Sequence, residues 1–219
     1  MVTEELTERV KAKRERIHLA AQSIFMRQGF EAASMDAIAA MAGVSKPTLY
    51  RYYHNKEALF IATLHQLMLE HSTSTATFNR LQQTQIESPA ILEQALVVWG
   101  QVVLENALQP AYLALVRVLI SEIPRFPSLS TLFSSAIPQE GRAILIAILE
   151  NAVANDVVAK TLNLDVAVRL FVGGLLTYVL SGLFRPVDKI PAPSTREVTA
   201  LVQLFLKSIV NQAQVNPHQ

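Results

Sequence analysis

The chain has 219 residues, of which 51% are hydrophobic and 17% charged, and its formal net charge is +1. So apolar a chain has to bury surface in a core, between subunits or around a ligand. A net charge this close to zero excludes a polycation, so nucleic-acid binding would have to come from a local basic patch. The lack of cysteine excludes disulfides, thiolate metal sites and a cysteine nucleophile.

The N-terminal segment is charged and carries no apolar run of the secretory kind, and a cytoplasmic location is expected. The pattern along the chain is helical almost throughout, with no convincing alternating strand and no repeat. In the first clear helix Ile17, Ala20, Ala21, Ile24 and Phe25 form one apolar stripe, and Gly29 stands where a helix end favours a left-handed residue. Ser34 is a good N-cap for a second helix ending near Ala42, with Ile38 and Ala42 facing inward. Gly43 closes that helix. Ser45 caps a third, over Lys46 to Tyr53, with Pro47 in its first turn, where a missing N–H costs nothing. Lys56 opens a fourth helix through Leu59, Phe60, Leu64 and Leu67.

Beyond Glu70 the chain turns polar, and His71–Gln85 reads as a frayed helix end or a linker. Prolines punctuate the rest. Helices are expected from Pro89 to about Leu108, from Pro110 to Ile123, around Leu129 to Ser135, from Pro138 to about Asn155, from Leu164 to Phe184 and from Thr195 to Asn211. The apolar part of the Leu164–Phe184 helix, Leu170 to Phe184, is shorter than the roughly 20 residues that span a bilayer and reads as a core or subunit-interface helix. The expected fold is therefore all-α, with a three-helix head at 1–56, a connecting helix to about residue 70, and a helical body at 71–219.

The chemistry concentrates at the junction of the second and third helices, Ala42-Gly43-Val44-Ser45. A glycine in a tight turn between two short helices is the mark of a helix-turn-helix, whose second helix enters a major groove about 12 Å wide. Lys46, Thr48, Tyr50 and Arg51 lie near the exposed side of the third helix, while Val44 and Leu49 anchor it. Tyr50, Tyr52 and Tyr53 offer rigid rings and hydroxyls to phosphates or thymine methyls. Lys56 sits at a helix N-terminus, which already favours phosphate. Upstream, Arg9, Lys11, Lys13, Arg14 and Arg16 form a basic run, offset by Glu8 and Glu15. By itself such a run is most often a solvated helix face.

The order and spacing of Ala20-Ala21-Gln22-Ser23-Ile24-Phe25, Gly29-Phe30-Glu31, Ser34 to Ala39, Ala42 to Lys46, Pro47 to Tyr53 and Asn55 to Phe60 resemble the DNA-binding domain of the TetR family of repressors. The resemblance implies that Ser34 and Lys56 contact phosphates, that Tyr52 reaches the backbone, and that Lys46, Pro47, Thr48 and Tyr50 face base edges; Ser45 belongs to the same surface. Arg51 departs from the family's usual aromatic or small residue and adds either a phosphate contact or nothing. Val44, Leu49 and Tyr53 read as structural. Further on, Leu115 to Pro127, with its Glu-x-x-Arg-Phe-Pro motif, and Val166 to Leu176 are similar to the AefR-like class of C-terminal domains, where Glu122 and Arg125 look like a structural pair.

The resemblance implies a homodimer on a near-palindromic double-stranded operator and a small-molecule effector held among the helices of the body, and the candidate pocket residues favour a largely apolar one. Leu164–Phe184 and Thr195–Asn211 are the interface candidates, with Gly173, Gly174 and Gly182 allowing close approach. Trp99, Val103, Tyr112, Val116, Leu119, Phe133, Phe171 and Tyr178 are candidate pocket residues, each of which could equally be plain core. Glu105, Arg117 and Glu122 stand in apolar surroundings and read as an internal ion-pair network or as partners for a polar ligand group. The expected function is a repressor that its effector releases by shifting the helix ahead of Glu70; a hundredfold weakening needs only about 2.7 kcal/mol. No cofactor or metal is expected. His65 and His71 miss the spacing of a helical metal pair, and neither a Gly-x-Ser-x-Gly nor a phosphate-cradling loop occurs. A helical interaction module without DNA function is the remaining rival, as is an activator.

Overall fold

The structure is a computed structural model, and it describes residues 2–69, 72–127, 139–186 and 192–210. Ten α-helices lie among the described residues: α1 (Val2–Ala32), α2 (Met35–Ala42), α3 (Lys46–Tyr52), α4 (Lys56–Leu69), α5 (Ser72–Gln83), α6 (Pro89–Ala107), α7 (Pro110–Glu122), α8 (Gln139–Ala154), α9 (Leu164–Leu183) and α10 (Thr195–Ile209). The expected helix near Leu129–Ser135 and the residues Pro138 and Pro191 lie outside the described residues.

The chain divides into two compact units, one of Met1–Met68 with Pro110–Ala136 and one of Leu69–Gln109 with Ile137–Gln219. In the first, α1 packs on α2 and on α7, and α2 packs on α3. Its core is built on the stripe read from the sequence: Ile17, Ile24, Phe25, Ile38 and Leu49 are all buried. Phe25, Phe30 and Phe60 form an aromatic cluster, and Phe126 closes on Phe30 edge-on at 5.3 Å between centroids. Gly29 adopts φ 77°, ψ 179° inside the span of α1. No residue with a Cβ takes that backbone easily, so α1 breaks there and Phe30 swings into the core.

The turn after α7 anchors on the end of α1. Arg125 donates from its guanidinium to the Glu31 carboxylate, and its link to Glu122 runs through the backbone. Glu122 caps the chain through its backbone carbonyl, which accepts from the N–H groups of Arg125 and Phe126 at 3.0 and 2.9 Å. Its side chain is buried with Oε2 lacking a hydrogen bond. Glu105 is exposed on α6 and needs no internal partner.

In the second unit α6 is central, packed by α10, α8, α9 and α5. Trp99 is fully buried, donates its indole N–H to the Gly141 carbonyl at 3.0 Å, and begins a row of rings through Phe171 to Phe205. The polar stretch after Glu70 is helical over Ser72–Gln83. Thr77, Phe78 and Leu81 of α5 are buried, and α5 packs on α8 and α6. Burial of that one face overrides the weak helix propensity of a Ser/Thr-rich segment. Asn151 of α8 pins the following loop by accepting the Ile86 N–H at 2.7 Å.

α9 is long and apolar enough to cross a membrane by length and composition. Val166, Leu170, Leu180 and Phe184 are exposed along it, with exposed Gly173 and Thr177 between them. The spacing alternates four and three residues, which makes one continuous seam down the helix. A Cβ on Gly174 would meet Leu201 of α10 at 3.0 Å, whereas one on Gly173 would meet nothing within 4 Å. Gly174 thus serves packing inside the chain, while Gly173 lies in the open seam.

Candidate nucleic-acid interface

Local hydrogen bonding sets the geometry of the helix-turn-helix. The Ser34 hydroxyl accepts the Ala37 N–H at 3.1 Å and starts α2. Gly43, at φ 64° and ψ 38°, ends it in the left-handed conformation, with its own N–H on the Ala40 carbonyl and that of Val44 on Ala39. The Ser45 hydroxyl then accepts the Thr48 N–H at 3.3 Å and starts α3. The left-handed Gly43 and the Ser45 cap turn the chain within three residues, and this fixes the angle at which α3 is presented.

The other side of α3 is fastened down. Leu49 is wholly buried. Tyr53, the C-cap, sends its hydroxyl to Nε2 of His18 on α1 at 2.9 Å, and Nδ1 of the same ring meets the Thr63 hydroxyl of α4 at 3.3 Å. Thr63 donates to the Leu59 carbonyl at 2.8 Å. Its oxygen must therefore accept from His18 Nδ1–H, which leaves Nε2 to accept from the Tyr53 O–H. Every group in this buried chain is satisfied only while the imidazole is neutral. Burial and, after it, the Arg14 charge lower the His18 pKa from 6.5 to about 4. The network ties the end of α3 to both α1 and α4, and sequence reading did not find it. The available signal was a lone histidine inside the apolar stripe of α1.

What remains exposed on α3 is the surface expected to meet DNA. Lys46, Pro47, Tyr50 and Arg51 are exposed, and Thr48 and Tyr52 are half-buried. The Arg51 guanidinium lies over the Tyr52 ring at 5.5 Å, which orients both. Ser34 and Ser45 are exposed beside them. Lys46 forms an ion pair with Asp36 of α2 at 2.5 Å, and hydrogen bonding to that carboxylate, followed by its charge, raises the lysine pKa. Asp36 is thus a negative charge at the edge of the surface, which the sequence reading passed over. Lys56 is more committed than its position implied: its ammonium donates to the carbonyls of Glu31 and Ala33 at 2.9 Å each and lies 4.6 Å from the centre of the Phe30 ring. It holds the end of α1 to the start of α4, with one of three N–H donors left over. On α1, Arg9, Lys11, Arg14 and Arg16 are exposed and Lys13 is half-buried.

The candidate pocket residues fall into both units. In the second, Trp99 and Phe171 are buried, and Val103 and Tyr178 are half-buried. In the first, Tyr112, Val116 and Leu119 are buried, and burial pushes the Tyr112 phenol pKa up. Phe133 lies outside the described residues. A cavity of about 290 Å³ opens elsewhere, between α5 and α6.

Residues 17–63 match the model of the bacterial regulatory proteins of the tetR family, and residues 94–208 match that of the AefR-like transcriptional repressor C-terminal domain. Among curated relatives, the transcriptional activator FasR of Mycolicibacterium smegmatis is 44% identical over 52 residues, 24% of each chain. Matches to the curated relatives span between about a quarter and a third of their length. The solved structure of the flavonoid-responsive regulator FrrA is 31% identical, with 92% of this chain and 98% of that one covered at a TM-score of 0.59. A TetR regulator from Agrobacterium tumefaciens shares the fold at a TM-score of 0.69 and 17% identity, over 94% and 98% of the two chains.

Proposed function

Since this chain belongs to the TetR family of bacterial regulatory proteins and carries an AefR-like C-terminal domain, we propose that it is a cytoplasmic, homodimeric repressor that leaves its operator when an effector binds. It acts as a regulator rather than an enzyme. The observation that carries the DNA-binding half is the rigid presentation of α3: Leu49 and Tyr53 are locked into the core while Lys46, Pro47, Tyr50 and Arg51 face outward. Tyr50 and Pro47 read base edges together with Lys46 and Thr48, and Ser34, Ser45, Arg51, Tyr52 and the free N–H of Lys56 meet phosphates.

DNA binding belongs to residues 1–56 with the connecting helix to about residue 70, and effector binding and dimerisation belong to residues 71–219. The exposed seam of α9 and the exposed Leu204 of α10 support dimerisation. A second copy would cover it, and Gly173 would let the partner's helix come close. Two copies of α3 would then reach successive major grooves about 34 Å apart, on a near-palindromic site. A largely apolar effector in the body, bordered by residues such as Val103 and Tyr178, fits the printed description of FrrA as flavonoid-responsive.

The test is a gel shift of the purified protein on the DNA flanking its own gene, across a salt series, with Tyr50→Ala as the control. Binding through about 6–10 phosphate contacts weakens by roughly 10³–10⁵ between 50 and 200 mM salt, and the folded Tyr50→Ala variant should lose the specific complex. Failure of both this DNA and a random-sequence selection would end the reading. Transcription from the bound promoter in vitro should fall on adding the protein; a rise would make it an activator, as FasR is named.

A further inference from the structure

The cavity between α5 and α6 is chemically one-sided. Thr77, Arg80 and Leu81 on α5 recur at helical spacing, and Ile91, Ala95 and Val98 do the same on α6. The two stripes face each other across about 290 Å³, close to the lower end of the roughly 300–1,000 Å³ typical of small-molecule sites. Of its lining residues Leu81 and Ala95 are buried, and Ile91 and Val98 are half-buried. Among the described residues one charged side chain lines it, the exposed Arg80, and no carboxylate does. The guanidinium spends one N–H on the buried Thr77 hydroxyl, at 3.3 Å. Four of its five N–H donors are left for another acceptor. An arginine beside an apolar trough, with no acid among the described lining residues, suits a ligand with a carboxylate at one end and a hydrocarbon body at the other.

We propose that this cleft binds a compact amphipathic organic anion, its carboxylate on Arg80 and its apolar part along Ile91, Ala95 and Val98. As an effector site it rests on the ligand-responsive reading above and sharpens it, since a wholly apolar molecule would leave the guanidinium unused. The anion adds a requirement for charge to the expected apolar body.

The test uses the full chain and two pairs of probes, octanoate with octanamide and 1-naphthoate with 1-naphthamide, titrated calorimetrically up to 10 mM. At least one carboxylate should bind more tightly than its amide. Arg80→Gln should weaken that carboxylate about tenfold to a hundredfold, the usual range for a charge-assisted pair, and leave the amide unchanged. Arg80→Lys should restore part of the loss. Gln94→Trp, a substitution at the exposed rim of the cleft, should obstruct both probes while circular dichroism stays native. Absence of carboxylate binding up to 10 mM, or binding that Arg80→Gln leaves unchanged, overturns the proposal. Repeating the operator gel shift with the bound probe separates the two readings. Probe-induced release that ignores Arg80 retains release and overturns this site. Arg80-dependent binding without release supports the site and counts against effector-driven release.

Discussion

Acidification from pH 7 to pH 5 should loosen the DNA-binding unit through a single ring. The native His18 holds a proton less tightly than the unfolded chain does, at a pKa of about 4 against 6.5. Between those values the unfolded state binds more protons, so the histidine's contribution is whole above pH 6.5 and drains away as pH falls toward 4. At 1.36 kcal/mol per unit the whole difference is about 3.4 kcal/mol, and the part lost between pH 7 and pH 5 is about 2 kcal/mol. The structural reason is the accounting of hydrogens. A protonated ring would turn Nε2 into a donor facing the Tyr53 hydroxyl, and that hydroxyl's own hydrogen would lose its acceptor in a buried setting. Hydrogen exchange of the amides of α1 to α4, corrected for intrinsic rates and compared with His18→Gln, is the assay. The wild type should show a fall in opening free energy of about 2 kcal/mol, and the variant, less stable at pH 7, should show a much flatter dependence. Parallel pH dependences in the two proteins would refute the assignment to His18.

Three further outcomes follow from particular contacts. Asp36→Asn removes the partner of Lys46 and one negative charge from the operator face; non-specific DNA affinity should rise and the salt slope should steepen by about one, read by fluorescence anisotropy across salt. Gly43→Ala should cost about 1 kcal/mol in urea unfolding of the head. The cause is the left-handed backbone, since the new Cβ would sit at an ordinary 3.7 Å from Arg16. Leu170→Glu places a charge in the exposed seam of α9, where Leu170 is 58% exposed in the single chain. Sedimentation should show monomers that keep native helicity but lose operator affinity, and a persistent dimer would move the interface elsewhere.

Most of the helical order, including both short helices of the reading head, was legible in the sequence because the signals are local. Ser34 and Ser45 cap from the residue before their helices, Gly43 needs only its own backbone, and the Ile17–Phe25 stripe repeats within three turns. Local signals failed at α5, whose Ser/Thr-rich sequence has no strong preference; Thr77, Phe78 and Leu81 become helical by being buried. The surface of α3 was readable for a similar reason, since Lys46, Pro47, Tyr50 and Arg51 follow from the register of one short helix. Its electrical and mechanical state was not. Asp36 neutralises Lys46 from another helix, Lys56 is spent on carbonyls 23 and 25 residues away, and His18 meets Tyr53 across 35 residues. Likewise, the Arg125 guanidinium meets Glu31, 94 residues distant. Caps and periodicity act over a few residues and are written in residue order. A side chain's choice among partners depends on which groups the folded backbone brings within 3 Å and how much water remains there, and only the tertiary structure decides that.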